Sequence, residues 1–175
     1  MLFKDFNIKK YLNKQPPSDN SDQTKKEIIE LTKIPIRENF VKEMDDGQKV
    51  FEKIVGKDSV IKKIINDSDT VIDKLKKHFN RPRPKVLAKK FNIKMDDLEL
   101  DTMKTPAYPS GHSIQAYLLG LYLSDKYPNK KNKLMKAARD ISYSRRVARA
   151  HYLSDSMFGE KVGKDMYEYI KNKKT

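Results

Sequence analysis

Apolar residues recur every three or four positions along most of this chain, which is the spacing of amphipathic helices. Three such sets occupy the first part of the chain: Ile28, Ile29 and Leu31, then Phe40, Val41 and Met44, and then Val50, Phe51, Ile54 and Val55. Alternation of apolar and polar residues, the pattern of a half-buried strand, is essentially missing. The pattern therefore predicts an all-α protein.

Capping residues and prolines set the predicted helix boundaries in the middle of the chain. Asp58-Ser59 and Ser68-Asp69 are favourable helix starts, and each precedes an apolar set, so two helices are expected here. The second should end before Pro82, because the residue preceding a proline disfavours helical geometry. Residues 84–109 are predicted to be mostly irregular, with a short helix near residues 86–91.

Three further helices are predicted, at residues 110–127, 134–149 and 154–170. No internal repeat or heptad run is present, so the expected fold is a compact single-domain helical bundle. Residues 13–24 contain two prolines and almost no apolar residue. We therefore expect a flexible or loosely packed arm over residues 1–24 and a helical domain over residues 25–175.

The composition is strongly basic, with 38 Lys and Arg against 24 Asp and Glu and a formal net charge of +14. Such a charge attracts phosphates, nucleic acid or an anionic membrane face, although a lysine-rich solvated surface would give the same numbers. The absence of cysteine excludes disulfides, a thiolate nucleophile and a thiolate metal site.

The hydrophobic stretches are too short for a membrane protein. The amino end is interrupted by charges and lacks the apolar run of a signal peptide. The longest apolar stretch, residues 116–123, is well below the roughly 20 residues that a membrane-spanning helix requires. We therefore expect a soluble, cytoplasmic protein without an integral membrane span.

Three short motifs carry the candidate chemistry, and the first of them is basic. Lys76 precedes Arg83 by seven positions, and Pro84 follows directly. Lysine and arginine side chains can hold an anion, and a guanidinium group can bind two of its oxygens at once. In a chain this basic, the run alone would also fit a solvated helix end.

The second motif, Pro109-Ser110-Gly111-His112, lies where a loop becomes a helix. Ser110 is a favourable N-cap, and Gly111 allows a ligand to approach the backbone. The free N–H groups and the dipole of a helix start attract anions, and His112 would stand in the first turn beside one. An ordinary capped helix with a surface histidine is the alternative.

The third motif comprises Ser144-Arg145, His151 and Asp155. If the last two belong to one helix, Asp155 lies one turn after His151 and can accept the proton of one imidazole nitrogen. The other nitrogen then keeps an outward lone pair, as a nucleophile requires. A surface pair of residues four apart would show the same spacing.

In combination, the motifs resemble the pattern of the type 2 phosphatidic acid phosphatase superfamily, which includes bacterial class A nonspecific acid phosphatases and vanadium-dependent haloperoxidases. That pattern is Lys, six residues, Arg-Pro; then Pro-Ser-Gly-His; then Ser-Arg, five residues, His, three residues, Asp. The matching positions here are Lys76, Arg83 and Pro84, Pro109 to His112, and Ser144, Arg145, His151 and Asp155. The resemblance spans about residues 70–165, and the first 60 residues carry none of it.

The resemblance implies the all-α fold of acid phosphatases and haloperoxidases, and a metal-independent hydrolysis of phosphate monoesters, lipid phosphates or diphosphates through a phosphohistidine. It implies that His151 is the nucleophile, that Asp155 fixes its tautomer, and that His112 protonates the leaving group. The implied phosphate-binding residues are Lys76, Arg83, Ser110, Gly111 and Arg145. No metal or cofactor is expected, and phosphate or vanadate would fit the site.

The substrate and partners stay open at this stage. A phosphorylated small molecule or lipid is the implied substrate, and the basic surface also suits peripheral contact with an anionic membrane. Nucleic acid is not the expected partner, and a homo-oligomer is left open. Two rival activities remain: a vanadate-dependent haloperoxidase, although those enzymes are generally much longer, and a noncatalytic module that binds phosphate or nucleic acid.

Four further residues lie near the motifs without a fixed role. His78 is expected to pack or to face solvent rather than to react. Arg81 could contact either the substrate or the solvent, and Tyr108 and Tyr152 could wall the pocket or belong to the helical core.

Overall fold

A computed structural model describes residues 1–173 of the chain as an all-α protein with no strand among those residues. The helices are α1 Asp22–Lys33, α2 Glu38–Asp45, α3 Gly47–Val55, α4 Ser59–Phe79, α5 Pro84–Lys90, α6 Gly111–Lys126, α7 Lys131–Val147 and α8 Leu153–Asn172. Three short 3-10 segments lie at Lys9–Tyr11, Asp101–Lys104 and Pro128–Lys130. The predicted fold class is confirmed, and the short helix expected near residues 86–91 is α5.

The bundle is built around α6, which packs against α7 and α8 and also contacts α4. Because α6 is surrounded, its buried apolar residues point in several directions, among them Ile114, Leu118, Leu119 and Leu123. Two glycines of α8 allow it to approach the first turn of α6 closely. A Cβ atom on Gly159 would lie 2.6 Å from the Ser110 carbonyl oxygen, and one on Gly163 would lie 2.4 Å from that of Ile114.

The helix start predicted at Ser68-Asp69 is wrong, since α4 runs unbroken from Ser59 to Phe79. Ser68 is fully buried, and its hydroxyl donates to the Ile65 carbonyl oxygen at 2.7 Å instead of capping a helix. The apolar residues on both sides of it share one helical face, so packing against the core overrides the local capping signal. The uninterrupted helix carries Lys76 from the core to the candidate site.

The aromatic residues of segment 1–24 pack against the core, unlike the flexible or loosely packed arm expected there. Phe3, Phe6 and Tyr11 are buried in the main core, and the Tyr11 hydroxyl donates to Asp165 at 2.7 Å. These rings bury enough apolar surface to hold the segment against α8. The expectation of loose packing rests on residues 13–24, whose prolines and polar residues do not indicate how the earlier rings pack. The outer limits of the domain stay a prediction, and residues 174 and 175 lie outside the described part.

No helix within the described residues has both the length and the apolar character needed to cross a bilayer. The apolar side chains of α6 are used instead to pack against its neighbouring helices.

Candidate active site

The three motifs meet at one cavity of about 190 Å³. Its lining includes Lys76 from the last turn of α4, Arg83 from the residue before α5, and Gly111 and His112 from the first turn of α6. His151, between α7 and α8, completes the set. The convergence that the order of the motifs predicts is therefore present in the fold.

Arg83 is anchored on three sides before any ligand binds. Its Nε donates to the Thr105 carbonyl oxygen at 2.8 Å, and its Nη2 donates to that of Thr102 at 2.9 Å. Its Nη1 donates to the Ala150 carbonyl oxygen at 2.8 Å and lies 3.0 Å from Nε2 of His151. The guanidinium group is thus held in place beside the imidazole, with little orientational freedom left to lose on binding an anion.

His151 has its tautomer fixed by Asp155. Nδ1 of His151 lies 3.2 Å from Oδ2 of Asp155, which also accepts from the Tyr152 backbone N–H at 3.0 Å. A proton on Nδ1 leaves the lone pair on Nε2, the nitrogen that faces Arg83 and the cavity. The two residues His151 and Asp155 do not belong to one helix, which was the condition for a one-turn spacing, because α8 begins only at Leu153 and His151 precedes it. Asp155 reaches back from the first turn of α8 instead.

Arg81 is the largest difference between the sequence prediction and the structure. Arg81 does not line the cavity and is only 2% exposed to solvent. Its Nη1 donates to Oδ1 of Asp155 at 2.6 Å. Its guanidinium carbon also lies 3.7 Å from the centre of the Tyr152 ring. Arg81 therefore supports Asp155 from the side away from His151. Asp155 is fully buried, so it needs this opposite charge.

Helix α1 extends this buried network, although it carries no motif. Nη2 of Arg81 lies 3.4 Å from Oε2 of Glu27 and 3.3 Å from the Thr24 hydroxyl. Glu27 also accepts from the backbone N–H and the hydroxyl of Ser154, at 2.9 and 2.8 Å. No spacing signal pointed to Glu27, since its only visible property in the sequence is its place on an amphipathic helix.

Asp45, the last residue of α2, joins two of the predicted site residues. Its carboxylate accepts from Nη1 of Arg145 at 2.7 Å and lies 3.7 Å from Nε2 of His112. Its carbonyl oxygen is 3.1 Å from the same His112 nitrogen, which favours a proton there. Arg145 is almost fully buried and also contacts the Val41 carbonyl oxygen and the Ser144 hydroxyl.

Lys76 and Ser110 lie at the same end of the bundle but differ in access to the cavity. Nζ of Lys76 donates to the Pro106 carbonyl oxygen at 2.6 Å and to the Thr105 hydroxyl at 3.1 Å. Ser110 is fully buried and accepts from the Ser113 backbone N–H and hydroxyl as the N-cap of α6. The structure thus places Gly111 in the cavity wall and Ser110 behind it.

Burial and mutual repulsion lower the pKa values of the cationic and imidazole groups of the site. Burial, with repulsion from Arg83, lowers the pKa of Lys76 to about 7. Burial also lowers the pKa of Arg83 to about 10 and, with Arg145, that of His112 to about 4, although Asp45 acts against the latter shift. The pKa of His151 falls well below its ordinary value for the same reasons, burial first and Arg83 next. An anion in the cavity would reverse these shifts.

The remaining sequence candidates lie outside the cavity. Nε2 of His78 is 2.9 Å from the Leu12 carbonyl oxygen, and its ring stands edge-on to Phe79. Tyr108 stacks on Phe158, and the Tyr152 hydroxyl donates to the Pro82 carbonyl oxygen at 3.0 Å. Both tyrosines are packing residues of the core rather than walls of the pocket.

The described residues contain no group of three or more His, Cys, Asp or Glu side chains arranged to hold a metal ion. The groups that line the cavity are instead the cationic and imidazole side chains of the motifs, the single carboxylate of Asp73, and neutral residues.

Comparison with known proteins agrees with this geometry. Residues 64–163 match the family described as the PAP2 superfamily, and this range contains all three motifs. Non-specific acid phosphatases of Salmonella typhimurium and Salmonella typhi are each 35% identical to the chain over 88 residues. The aligned region is 50% of this chain, and the chain spans only 35% of the length of these relatives. Because the family match covers more than half of the chain, the protein belongs to the PAP2 superfamily.

Proposed function

We propose that the protein is a phosphatase that hydrolyses phosphate monoesters through a phosphohistidine on His151, without a metal ion. The observation that carries the proposal is the line of contacts from Asp155 through His151 to Arg83. Nδ1 of His151 is held by Asp155, and Nε2 faces a cavity whose lining includes the cations Lys76 and Arg83. A neutral imidazole with an oriented lone pair is the nucleophile that such a reaction needs.

In the first step, Nε2 of His151 attacks phosphorus and forms a P–N bond while the P–O bond to the leaving group breaks. His112, as the imidazolium, gives one of its two ring protons to the departing oxygen, so the alcohol leaves uncharged and the imidazole becomes neutral. Lys76, Arg83 and the Gly111 backbone N–H stabilise the negative charge of the phosphoryl oxygens, and a bound anion raises the pKa of Lys76 that burial lowers.

In the second step, water attacks phosphorus as His112 takes its proton, and the P–N bond breaks to release inorganic phosphate. Asp155 stabilises the imidazolium that exists between the two steps, and it is placed to do so by Arg81 and the Tyr152 backbone N–H. All electrons and protons are accounted for by the substrate, one water molecule and the two histidines.

The family membership and the acid phosphatase relatives support phosphate ester hydrolysis in general. They do not choose the ester, because the similarity covers about a third of each relative. The monoester assignment depends on the small volume of the cavity, which suits one tetrahedral phosphoryl group.

Trapping of the intermediate tests the proposal. Purified protein would be mixed with p-nitrophenyl phosphate in EDTA, denatured in base to preserve phosphohistidine, and analysed by mass spectrometry. The wild type should carry the phosphoryl group on His151, and His151→Ala should lose turnover by about three orders of magnitude or more. His112→Asn should accumulate the phosphoenzyme, since p-nitrophenolate leaves without a proton but water still needs a base.

His78→Ala is the matched control, because His78 is the third histidine and is exposed and bonded to the Leu12 carbonyl oxygen. Activity that EDTA abolishes, or that survives in His151→Ala, would overturn the mechanism. Bromide peroxidation after vanadate loading, without ester hydrolysis, would indicate a haloperoxidase instead. Salt-sensitive phosphate binding without turnover would indicate a binding module.

A further inference from the structure

A second cavity of about 300 Å³ opens beside the cavity in which Lys76, Arg83, His112 and His151 meet, which we call the phosphate cavity. It lies between the turn joining α2 to α3 and the side of α6, and the two cavities share His112 and Gln115 in their walls. None of the three motifs contributes to it apart from His112. It is therefore a separate space whose only catalytic neighbour is the proposed acid.

The position of His112 relates this space to the reaction. In a displacement at phosphorus, the leaving oxygen departs opposite the nucleophile, and the acid must stand beside that oxygen. His151 lines only the phosphate cavity, whereas His112 lines both. The alcohol that His112 protonates would thus enter the second cavity, which we call the leaving-group pocket.

We propose that the leaving-group pocket selects monoesters of uncharged, partly apolar alcohols that carry a ring or a short hydrocarbon chain. This inference rests on the proposed function, and it adds the substrate class. The volume of the pocket is at the lower end of the range for small-molecule sites, and five of its eleven lining residues are apolar. The apolar lining residues are Phe51, Ile65, Ala116, Leu119 and Ile141.

The charges of the pocket argue against an anionic leaving group. Asp45 and Asp46 are among its lining residues, and none of the described residues that line it is a lysine or an arginine. The backbone N–H of Lys49 and the Lys49 side chain hold the pKa of Asp46 low despite its partial burial, so its carboxylate is charged. The phosphate cavity itself adds Asp73. A second phosphate or a carboxylate on the substrate would meet these groups, although the protein as a whole carries +14.

Gly47 offers a way to fill the pocket without touching the phosphate cavity. It is the first residue of α3, and a Cβ atom there would lie 3.9 Å from Cδ1 of Ile141, an ordinary contact distance. A larger side chain at this position would extend from the wall of the leaving-group pocket and occupy part of the volume in which the leaving group would bind. Alanine at the same position adds only one methyl group and is the matched control.

Calorimetric titration with phosphonates separates binding in the pocket from binding of the phosphoryl group. Phenylphosphonate should bind the wild type about tenfold more tightly than methylphosphonate, because the phenyl ring is removed from water. Phosphonoacetate should bind more weakly than methylphosphonate, because its carboxylate meets Asp45 and Asp46. In Gly47→Leu the advantage of phenylphosphonate should disappear while methylphosphonate binding is unchanged, and Gly47→Ala should keep most of the advantage.

Equal affinity of the wild type for phenylphosphonate and methylphosphonate would overturn the inference, and so would tighter binding of phosphonoacetate. These comparisons use the wild type alone and do not depend on how Gly47→Leu folds. If none of the phosphonates bound, the phosphate cavity would not be a phosphoryl-binding site. The proposed function would then be wrong, and the inference that rests on it would be wrong as well. If methylphosphonate bound without a gain from the ring, the proposed function would stand and only the pocket assignment would fall.

Discussion

The motif-bearing segment, residues 76–155, and the first 55 residues both reach the candidate site, but they do so in different ways. The motif residues Lys76, Arg83, His112 and His151 line the phosphate cavity. Of the earlier segment, Glu27 contacts Arg81, and Asp45 contacts Arg145 and His112, and neither of these carboxylates lines the phosphate cavity. One segment supplies the groups that face an anion, and the other balances the charge of the groups behind them.

This difference has a physical basis. Burial penalises each cation packed around the cavity, and the cations also repel one another, as the low pKa values of Lys76 and His112 show. Carboxylates placed outside the cavity offset part of that cost without occupying the anion position. The comparison makes different predictions for the two segments, and they are taken in order of expected size.

The largest effect is expected from Arg81→Met. Burial raises the pKa of Asp155 to about 7 even though Arg81 lowers it, so removal of Arg81 would raise it further. Asp155 would then become protonated, and cease to hold His151 as a carboxylate, at a higher pH than in the wild type. The rising limb of the kcat profile should therefore move to higher pH. At neutral pH we expect kcat to fall by about a hundredfold, the range seen when such supporting contacts are removed. The measurement is the pH profile of p-nitrophenyl phosphate hydrolysis.

Arg81→Lys is the control for this prediction, because it keeps the positive charge beside Asp155. It should recover much of the lost kcat and return the rising limb towards the wild-type position. Glu27→Gln, which leaves Arg81 in place but removes its second carboxylate, should give a smaller change in the same profile. A wild-type pH profile in Arg81→Met would show that Arg81 serves folding alone.

The sequence predicted the residues that line the cavity better than the residues that contact and position them, and Arg81 illustrates why. Motif spacing identified Lys76, Arg83, His112 and His151, which the fold brings together. Arg81 alternates with Arg83 in the sequence, yet a left-handed turn at Asn80 and the packing of Tyr152 direct it to the opposite side of Asp155. That choice depends on tertiary contacts, which local spacing does not encode.

The fold shows the same limit at the amino-terminal segment. The three-and-four periodicity predicted its helices, because periodicity reports which face is buried. It did not predict which element covers that face. Glu27 is almost fully buried against Arg81, and Asp45 ends α2 beside Arg145, 100 positions away in sequence. Single carboxylates at such distances carry no pattern that one sequence could reveal.

A smaller effect is expected from Asp45→Asn. Asp45 raises the pKa of His112, so the variant should lose the protonated acid at lower pH and the falling limb of the kcat profile should shift to the acid side. We expect kcat to fall about tenfold. Loss of this carboxylate also frees Arg145, so sulfate should bind about fivefold more tightly, as removal of about 1 kcal/mol of charge interaction implies. Kinetics and calorimetry on one preparation measure both.

Asp58→Asn is the matched control for Asp45→Asn, since Asp58 caps α4 and binds Lys126 on the surface, away from both cavities. It should leave kcat and sulfate affinity unchanged. Weaker sulfate binding in Asp45→Asn would contradict the charge-balancing role, because it would mean that Asp45 chiefly orients Arg145 for the anion.

The smallest effect concerns Lys76, a motif residue whose charge depends on its surroundings. Its pKa of about 7 means that the ammonium form is lost as the pH rises through neutrality. Sulfate keeps its charge over this range, so its affinity should fall about fivefold between about pH 6 and 8. Lys76→Arg should bind sulfate with a much flatter pH dependence, because a guanidinium group stays protonated. The pH dependence of sulfate affinity that the wild type and Lys76→Arg share comes from His112 and the other groups of the cavity. The difference between their two pH dependences comes from titration of Lys76. Identical slopes would show that Lys76 is already fully charged in the free protein, and that its burial between Pro106 and Thr105 is compensated without an anion.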